Sequence, residues 1–146
     1  MNWLSKAILI TALGLSLPAF AGGIPAKLYK NPSCGCCGEY TKYLESHGYQ
    51  VEVIPTRDMT AIKKTNKVPE RLEACHTTLI SGYVFEGHVP VETINRVLKE
   101  HPIIRGVSVP GMPAGSPGMT GVKQGPLEVY YLYLQDSVKP QVYETH

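Results

Sequence analysis

Three of the four cysteines of this chain fall within four consecutive positions, 34–37 (Cys-Gly-Cys-Cys), and the fourth is Cys75. A short apolar stretch, residues 26–29, precedes the cluster and is a strand candidate, while the residues after it have apolar side chains at helical spacing. Asn31-Pro32-Ser33 offers a turn and a helix N-cap between the two. The cluster therefore lies where a strand passes into a helix, and thiolates there can hold a soft metal ion or exchange disulfides.

The remaining apolar pattern predicts the element order β-α-β-α-β-β-α over residues 22–104. Val51 to Ile54 form a second strand, Ser81-Gly82 separates two strands of a hairpin, and Pro90 begins a last helix. This is the order of a thioredoxin-like α/β fold, in which reactive thiols stand at the start of the first helix. Where such folds carry a cis-proline loop, this chain has Cys75-His76-Thr77. The fold would thus bring Cys75 to the cluster.

The first 21 residues match an export signal. Lys6 precedes an apolar stretch that is eleven residues long, 7–17, and Ala19-Phe20-Ala21 fits the small-x-small cleavage pattern. Because crossing a bilayer takes about 20 apolar residues, we expect a cleaved signal peptide rather than a membrane span. The mature chain has 13 basic and 12 acidic residues without a basic run, which argues against nucleic-acid binding. We expect an exported, periplasmic, monomeric protein.

Residues 105–146 form a C-terminal extension of different composition. Residues 105–126 contain six glycines and four prolines, and Pro-Gly-Met occurs twice, ending at Met112 and Met119. Such a long segment without predicted elements is usually functional or disordered. Residues 127–134 predict an added strand that would bring the segment back over the domain. The methionines are either apolar packing residues or thioether ligands, which favour Cu(I).

The spacing of the cysteines suits zinc poorly. On a helix, Cys36 and Cys37 point about 100° apart, and structural zinc sites usually pair two Cys-x-x-Cys motifs. Sulfurs that bridge several Cu(I) ions need not point at one centre, and several monovalent cations also neutralise clustered thiolates. Three other interpretations stay open: a thiol–disulfide oxidoreductase using Cys34 and Cys37, a pair of structural disulfides, and a Cys75 that is simply a buried apolar residue.

Histidines rank below the cysteines as ligands. His88 follows the hairpin and would reach the cluster if the extension folds inward. We expect His76 to point away from a cluster that Cys75 faces, since adjacent side chains of an extended segment lie on opposite faces. His47 is expected on the apolar face of the first helix, and His101 and His146 in solvent.

Several segments of the chain together resemble the CopG family of copper-resistance proteins. They are residues 29–37 with the Cys-x-Cys-Cys motif, 74–77 (Ala-Cys-His-Thr), 82–90, 109–113 and 115–119. The resemblance covers roughly residues 26–134. It implies a periplasmic thioredoxin-like domain whose C-terminal extension contributes to the metal site.

The resemblance also implies a function. It assigns a cysteine-bridged multicopper cluster to Cys34, Cys36, Cys37 and Cys75, and an oxidoreductase activity that interconverts Cu(I) and Cu(II) through the first three of these. Candidate further ligands are His88, Met112 and Met119. The implied partners are copper ions and components of a periplasmic copper efflux system. A copper store or chaperone without turnover would share the same site.

Overall fold

The structure is a computed structural model that describes residues 22–135 and 138–146, so the expected export signal lies outside it. The α/β fold and the element order expected for residues 22–104 are confirmed. None of the described helices is both long and apolar enough to cross a membrane. The described strands and helices are β1 Ile24–Lys30, α1 Gly35–Ser46, β2 Tyr49–Pro55, α2 Met59–Thr65, β3 His76–Ile80, β4 Tyr83–Glu86, α3 Val91–Glu100, β5 Gly106–Ser108, β6 Glu128–Leu132 and β7 Val142–Thr145, with a 3-10 turn at Glu70–Leu72.

The strands form one sheet in the order β2-β1-β3-β4-β5-β6-β7. Strand β1 runs parallel to β2 and antiparallel to β3, with Lys30 opposite His76. The residues that follow β1 and those that precede β3 therefore emerge at the same end of the sheet. That end receives the cysteine cluster from one side and Cys75 from the other.

The apolar core lies between the sheet and two helices, α1 and α3. Helix α3 buries Val91, Ile94 and Val97, which recur at helical spacing on one face. Helix α1 buries Tyr40 and Leu44 in the same core. This packing fixes the start of α1, and thus the cluster, against the sheet.

The extension continues the sheet with three strands instead of the one that we expected. Strand β5 escapes prediction because it has three residues and pairs in parallel with β4. There the two backbones approach so closely that a Cβ on Gly106 would lie 1.7 Å from the Val84 carbonyl oxygen. Strand β7 comes from a tail without a sequence motif, and His146 exchanges two backbone hydrogen bonds with Leu127. The proposed boundary at residues 104/105 stays a prediction.

Candidate metal centre

Four sulfur atoms meet at the end of the sheet. The Sγ atoms of Cys34, Cys36, Cys37 and Cys75 all lie within 4.8 Å of one another. Cys36 and Cys75 are 39 positions apart in sequence, yet their sulfurs are 3.9 Å apart. The expected delivery of Cys75 to the cluster is thus what the structure shows. The divergence of adjacent helical side chains does not keep the four sulfurs from forming a compact group.

The sulfurs are in two oxidation states. Cys34 and Cys37 form a disulfide, whereas Cys36 and Cys75 are free, partly exposed thiols. Cys36 Sγ lies 3.5 Å from Cys34 Sγ. The bonded pair is the Cys-x-x-Cys pair that a thioredoxin-like oxidoreductase would use. The free thiols contact each other between the start of α1, which carries Cys36, and the segment before β3, which carries Cys75.

The start of α1 favours negative charge at the cluster. Cys34 is the N-cap residue, no side chain caps the helix, and its first turn has no acidic residue. The unpaired N–H groups of a helix start and its dipole stabilise a nearby thiolate by about 0.3–1 kcal/mol. This contribution helps to ionise the thiols but does not hold four thiolates together.

Two histidines contact Cys75. Its Sγ lies 3.2 Å from His76 Nδ1 and 3.3 Å from His88 Nε2. The expectation for His88 agrees with this geometry. His76 lies outside the group of four sulfurs, but its contact with Cys75 was not expected. Cys75 occupies a bend before β3, which begins at His76. The alternation of an extended strand does not apply across that bend.

The extension orients His88. Its Nδ1 lies 2.6 Å from the backbone oxygen of Pro117. A carbonyl oxygen only accepts hydrogen bonds, so Nδ1 carries the proton and Nε2 presents a lone pair towards Cys75. A histidine held in this way by its second nitrogen is typical of metal ligands.

Both imidazoles are buried beside Tyr40. The ring of His76 lies 4.6 Å from that of Tyr40 and 4.9 Å from that of His88. The Tyr40 hydroxyl donates to the Val89 oxygen at 2.7 Å, which fixes the aromatic ring. Burial lowers the pKa of His76 and of His88. Both rings are therefore neutral, the form that binds metal ions.

Burial has the opposite effect on the thiol of Cys75. Desolvation, with a further contribution from Cys36, raises its pKa to about 12. The thiol stays protonated at neutral pH. A bound cation would change this, because metal ions take up thiolates and release their protons.

A buried carboxylate fixes the segment that carries Cys75. Glu86 accepts a hydrogen bond from the Ala74 amide at 2.8 Å and another from the Thr77 hydroxyl at 2.6 Å. Its charge is paired with Lys63, and both side chains are almost fully buried. Burial raises the pKa of Glu86, and Lys63 acts against that increase. Glu86 thus binds the backbone before Cys75 and a side chain after it, at the place where thioredoxin-like folds have a proline.

The two methionines are placed differently. Met112 Sδ lies 3.9 Å from Cys36 Sγ, and its side chain is 57% exposed. Its position is fixed by the preceding Gly111, whose amide donates to the Glu73 oxygen at 3.0 Å. Met119 is half-buried, and the described sulfur contacts with the cysteines include Met112 but not Met119. A ligand role for each stays a prediction.

The remaining histidines lie elsewhere. His47 is exposed and its ring lies 4.5 Å from that of Tyr43. His101 is exposed at the end of α3, and His146 Nε2 contacts Glu144 Oε1 at 2.8 Å. These three residues take no part in the described group of sulfurs and imidazoles.

Two solved structures are similar to this chain over most of its length. They are named "Copper resistance protein copG- Form 1" and "Copper resistance protein copG- Form 2", and each is 36% identical to this chain. Each match covers 85% of this chain and 98% of the other, with TM-scores of 0.76 and 0.77. The chain belongs to the CopG family of copper-resistance proteins.

A sequence model gives a second, shorter match. The family described as "Protein of unknown function, DUF411" matches residues 72–119. This segment includes Cys75, His76, His88 and both methionines of the extension, but not the Cys-x-Cys-Cys motif of this CopG-type chain. No curated protein matches the chain. The likeness to CopG, together with the four sulfurs, indicates a copper-binding site.

Proposed function

We propose that this protein acts in copper resistance in the periplasm by holding several Cu(I) ions in a cluster bridged by Cys34, Cys36, Cys37 and Cys75. The convergence of these four sulfurs within 4.8 Å carries the proposal. The likeness to structures named for copper resistance supports the choice of metal. A periplasmic location, a monomeric state and partners in copper efflux belong to the same proposal.

The donor chemistry favours Cu(I). Thiolate and thioether sulfurs are soft ligands that select Cu(I). Each thiolate can bridge two ions, so sulfurs on two sides of a site need not point at a single centre. Several Cu(I) ions would also neutralise thiolates that are expensive to cluster in a partly buried place. Met112, Met119 and His88 are the proposed further ligands.

We propose in addition that the site interconverts Cu(I) and Cu(II), with Cys34, Cys36 and Cys37 as the reactive residues. The observed Cys34–Cys37 disulfide supports this step. When two thiolates join in a disulfide they lose two electrons, and two Cu(II) ions become two Cu(I) ions. An external dithiol that exchanges with the disulfide would return both sulfurs to the thiolate form.

The same disulfide supports a second candidate, a thiol–disulfide oxidoreductase. Its two cysteines stand at the start of α1, where the helix dipole favours a reactive thiolate. Such an enzyme needs neither Cys75 nor a metal. A copper store or chaperone, in contrast, needs all four sulfurs but shows no change of copper oxidation state.

Replacement of the remote cysteine distinguishes these candidates. Purified anaerobically with its thiols reduced, the native chain should bind several copper ions, and Cys75→Ser should bind markedly fewer while Cys34 and Cys37 still exchange disulfides. Ser33→Ala, at an exposed position beside the cluster, is the matched control. One zinc ion per chain, or no metal with two disulfides, would overturn the copper cluster.

The change of oxidation state needs its own measurement. Reduced protein is mixed with Cu(II) without oxygen, and Cu(I) and lost thiols are counted. The proposal expects one Cu(I) for each thiol lost in the native chain, and much less in Cys34→Ser/Cys37→Ser. If copper binds as Cu(II) and no thiols are lost, the redox step is refuted and the protein is a copper store.

A further inference from the structure

A second group of metal ligands shares Cys75 with the sulfur cluster. The ligand atoms of Cys75, His76 and His88 lie within 4.8 Å of one another. This group contains two imidazoles and one sulfur, whereas the first contains four sulfurs. It lies at the buried end of the site, since His76 and His88 are both fully buried.

The hydrogen bonds of this group are incomplete in every tautomer. His88 already directs the lone pair of Nε2 at Cys75 Sγ, because its Nδ1 proton goes to Pro117. If His76 carries its proton on Nε2, that buried atom has no acceptor among the described residues. Its Nδ1 lone pair then also faces Cys75, and one thiol proton cannot serve two acceptors.

The other tautomer of His76 fails as well. A proton on Nδ1 would be directed at Cys75, and the Nε2 lone pair would remain buried without a donor among the described residues. An unsatisfied polar atom in a buried place is unfavourable, because it has lost its hydrogen bond to water without gaining another. A cation between the sulfur and the two lone pairs would satisfy Cys75 Sγ, His76 Nδ1 and His88 Nε2 together. Of this group, only the Nε2–H of His76 would then lack a partner among the described residues.

The distances suit a metal ion. Bond lengths of about 2.3 Å to sulfur and about 2.0 Å to nitrogen put the two ligand atoms about 3.6 Å apart in a tetrahedral site. The observed separations of 3.2 and 3.3 Å are a few tenths of an ångström shorter. A small outward movement of the Cys75 side chain from its bend would make room.

We propose that Cys75, His76 and His88 form a Cu(II)-binding position at the buried end of the site, distinct in chemistry from the sulfur cluster. One thiolate and two imidazoles form the donor set that proteins use for Cu(II) with a thiolate ligand. Binding releases the thiol proton of Cys75 to solvent. The inference rests on the proposed function, because it specifies where in that site Cu(II) is held.

The test uses the full chain without the other three thiols. Cys34→Ser/Cys36→Ser/Cys37→Ser cannot form the sulfur cluster or an intrachain disulfide. Titrated anaerobically with Cu(II), it should bind one ion per chain and show sulfur-to-Cu(II) charge-transfer absorption, with coupling to two nitrogens in electron paramagnetic resonance. Co(II), which does not oxidise thiols, should occupy the same position and keep the thiol intact.

Three added substitutions locate the ligands. Cys75→Ser should abolish the charge-transfer band, and His76→Asn or His88→Gln should each weaken binding by at least about tenfold and remove one nitrogen coupling. His47→Gln is the matched control at an exposed position and should change nothing. Circular dichroism and the thermal midpoint report whether each variant folds. If His76→Asn does not fold, the results for His88→Gln and Cys75→Ser decide whether the Cu(II) position exists.

Three results would overturn the inference. They are Cu(II) binding without a sulfur band, equal affinity in the His88→Gln and His47→Gln variants, and a preference for Zn(II) over Cu(II) at the same ligands. Failure of the native chain to bind several Cu(I) ions would instead refute the proposed cluster. The triple-serine titration does not depend on that result, so the two failures can be told apart.

Discussion

The two sides of the metal centre differ in how they are built. The helix side, residues 34–37, has consecutive residues at the start of α1, of which Cys34 and Cys36 are partly exposed. The strand side, which consists of Cys75, His76 and His88, joins residues up to 13 positions apart and is largely buried. Local backbone geometry is enough to gather the first group. The second group also needs tertiary contacts, because His88 comes from a different segment than Cys75 and His76.

The two sides also differ in what holds them. On the helix side, the disulfide joins Cys34 to the buried Cys37, and no side chain caps the start of α1. The strand side is held by Glu86 with Lys63 and by the contact between Pro117 and His88. The cysteines that we propose as reactive thus lie at the start of α1, and the contacts that orient Cys75 and His88 lie on the strand side.

The largest expected effect concerns the burial of Cys75. With the Cys34–Cys37 disulfide intact, Cys36 and Cys75 are the free thiols, and peptide mass spectrometry can follow the initial alkylation rate of Cys75 separately. With a pKa of about 12 against an ordinary value of 9.0, its alkylation at pH 8 should be about a thousandfold slower than in the unfolded chain. Because burial raises the pKa, the rate should climb about tenfold per pH unit up to about pH 11.

Chain unfolded in urea provides the reference for that measurement. Its alkylation rate should level off near the ordinary thiol pKa. A native rate that levels off at the same pH would show that the strand side is not buried in solution, and would erase the contrast between the two sides.

Loss of the buried carboxylate should have the next largest effect. Glu86→Ala leaves the Lys63 ammonium buried without its partner and frees the Ala74 amide. We expect a loss of about 3–5 kcal/mol in the free energy of unfolding, measured with denaturant. Lys63→Met/Glu86→Gln removes both charges but keeps an acceptor for Ala74, and should recover most of the stability and of the copper binding. A double variant as unstable as Glu86→Ala would contradict the assigned role of Glu86.

A smaller effect is expected where the extension rests on α1. Gly118 has a φ of +75°, and a Cβ there would lie 2.7 Å from the Tyr40 backbone nitrogen. Gly118→Ala should cost about 1–3 kcal/mol of unfolding free energy, and should weaken Cu(II) binding by moving Pro117 off His88. Gly38→Ala, inside α1 with open space around it, is the control and should stabilise the chain by about 0.5–1 kcal/mol. Equal losses in both variants would show that the loop does not depend on this contact.

The smallest change in stability is expected at the methionines. Met112→Leu alters an exposed side chain and should change the unfolding free energy by less than about 0.5 kcal/mol, yet it removes a thioether near Cys36. Retention of Cu(I) against a competing chelator should therefore fall. Met119→Leu is the matched variant from the other Pro-Gly-Met repeat. An equal fall in Cu(I) retention in Met119→Leu would show that both methionines are ligands. If retention falls in neither variant, neither thioether is a ligand.

The fold could be predicted from the sequence because its signals are local. Helical spacing, the Ser81-Gly82 turn and Pro90 each mark an element, and their order gives the position of Cys75. Strands β5 and β7 could not be predicted in the same way. They are short, and their pairing with β4 and β6 depends on which segments meet in three dimensions.

The same difference between local signals and tertiary contacts explains which residues of the site could be predicted. The Cys-x-Cys-Cys motif is visible in the sequence, whereas His76 was excluded by a rule for extended strands that the bend at Cys75 breaks. Glu86 was missed because a charged residue at the end of an apolar strand usually faces solvent. Lys63 was missed because a lysine next to Lys64 in a short helix usually belongs to a solvent-facing surface. One signal was available: Glu86 directly precedes Gly87-His88, so an acidic side chain stands two residues before a predicted ligand.

The hydrogen bond from His88 to Pro117 has a consequence for anyone who wishes to transplant this site. A minimal fragment ending at residue 104 would still contain every cysteine and both buried imidazoles. It would lack the carbonyl oxygen that selects the tautomer of His88 and the thioether beside Cys36. Grafts into other thioredoxin scaffolds should therefore carry residues 105–119 as well, or they will reproduce the thiols without the orientation of the imidazole.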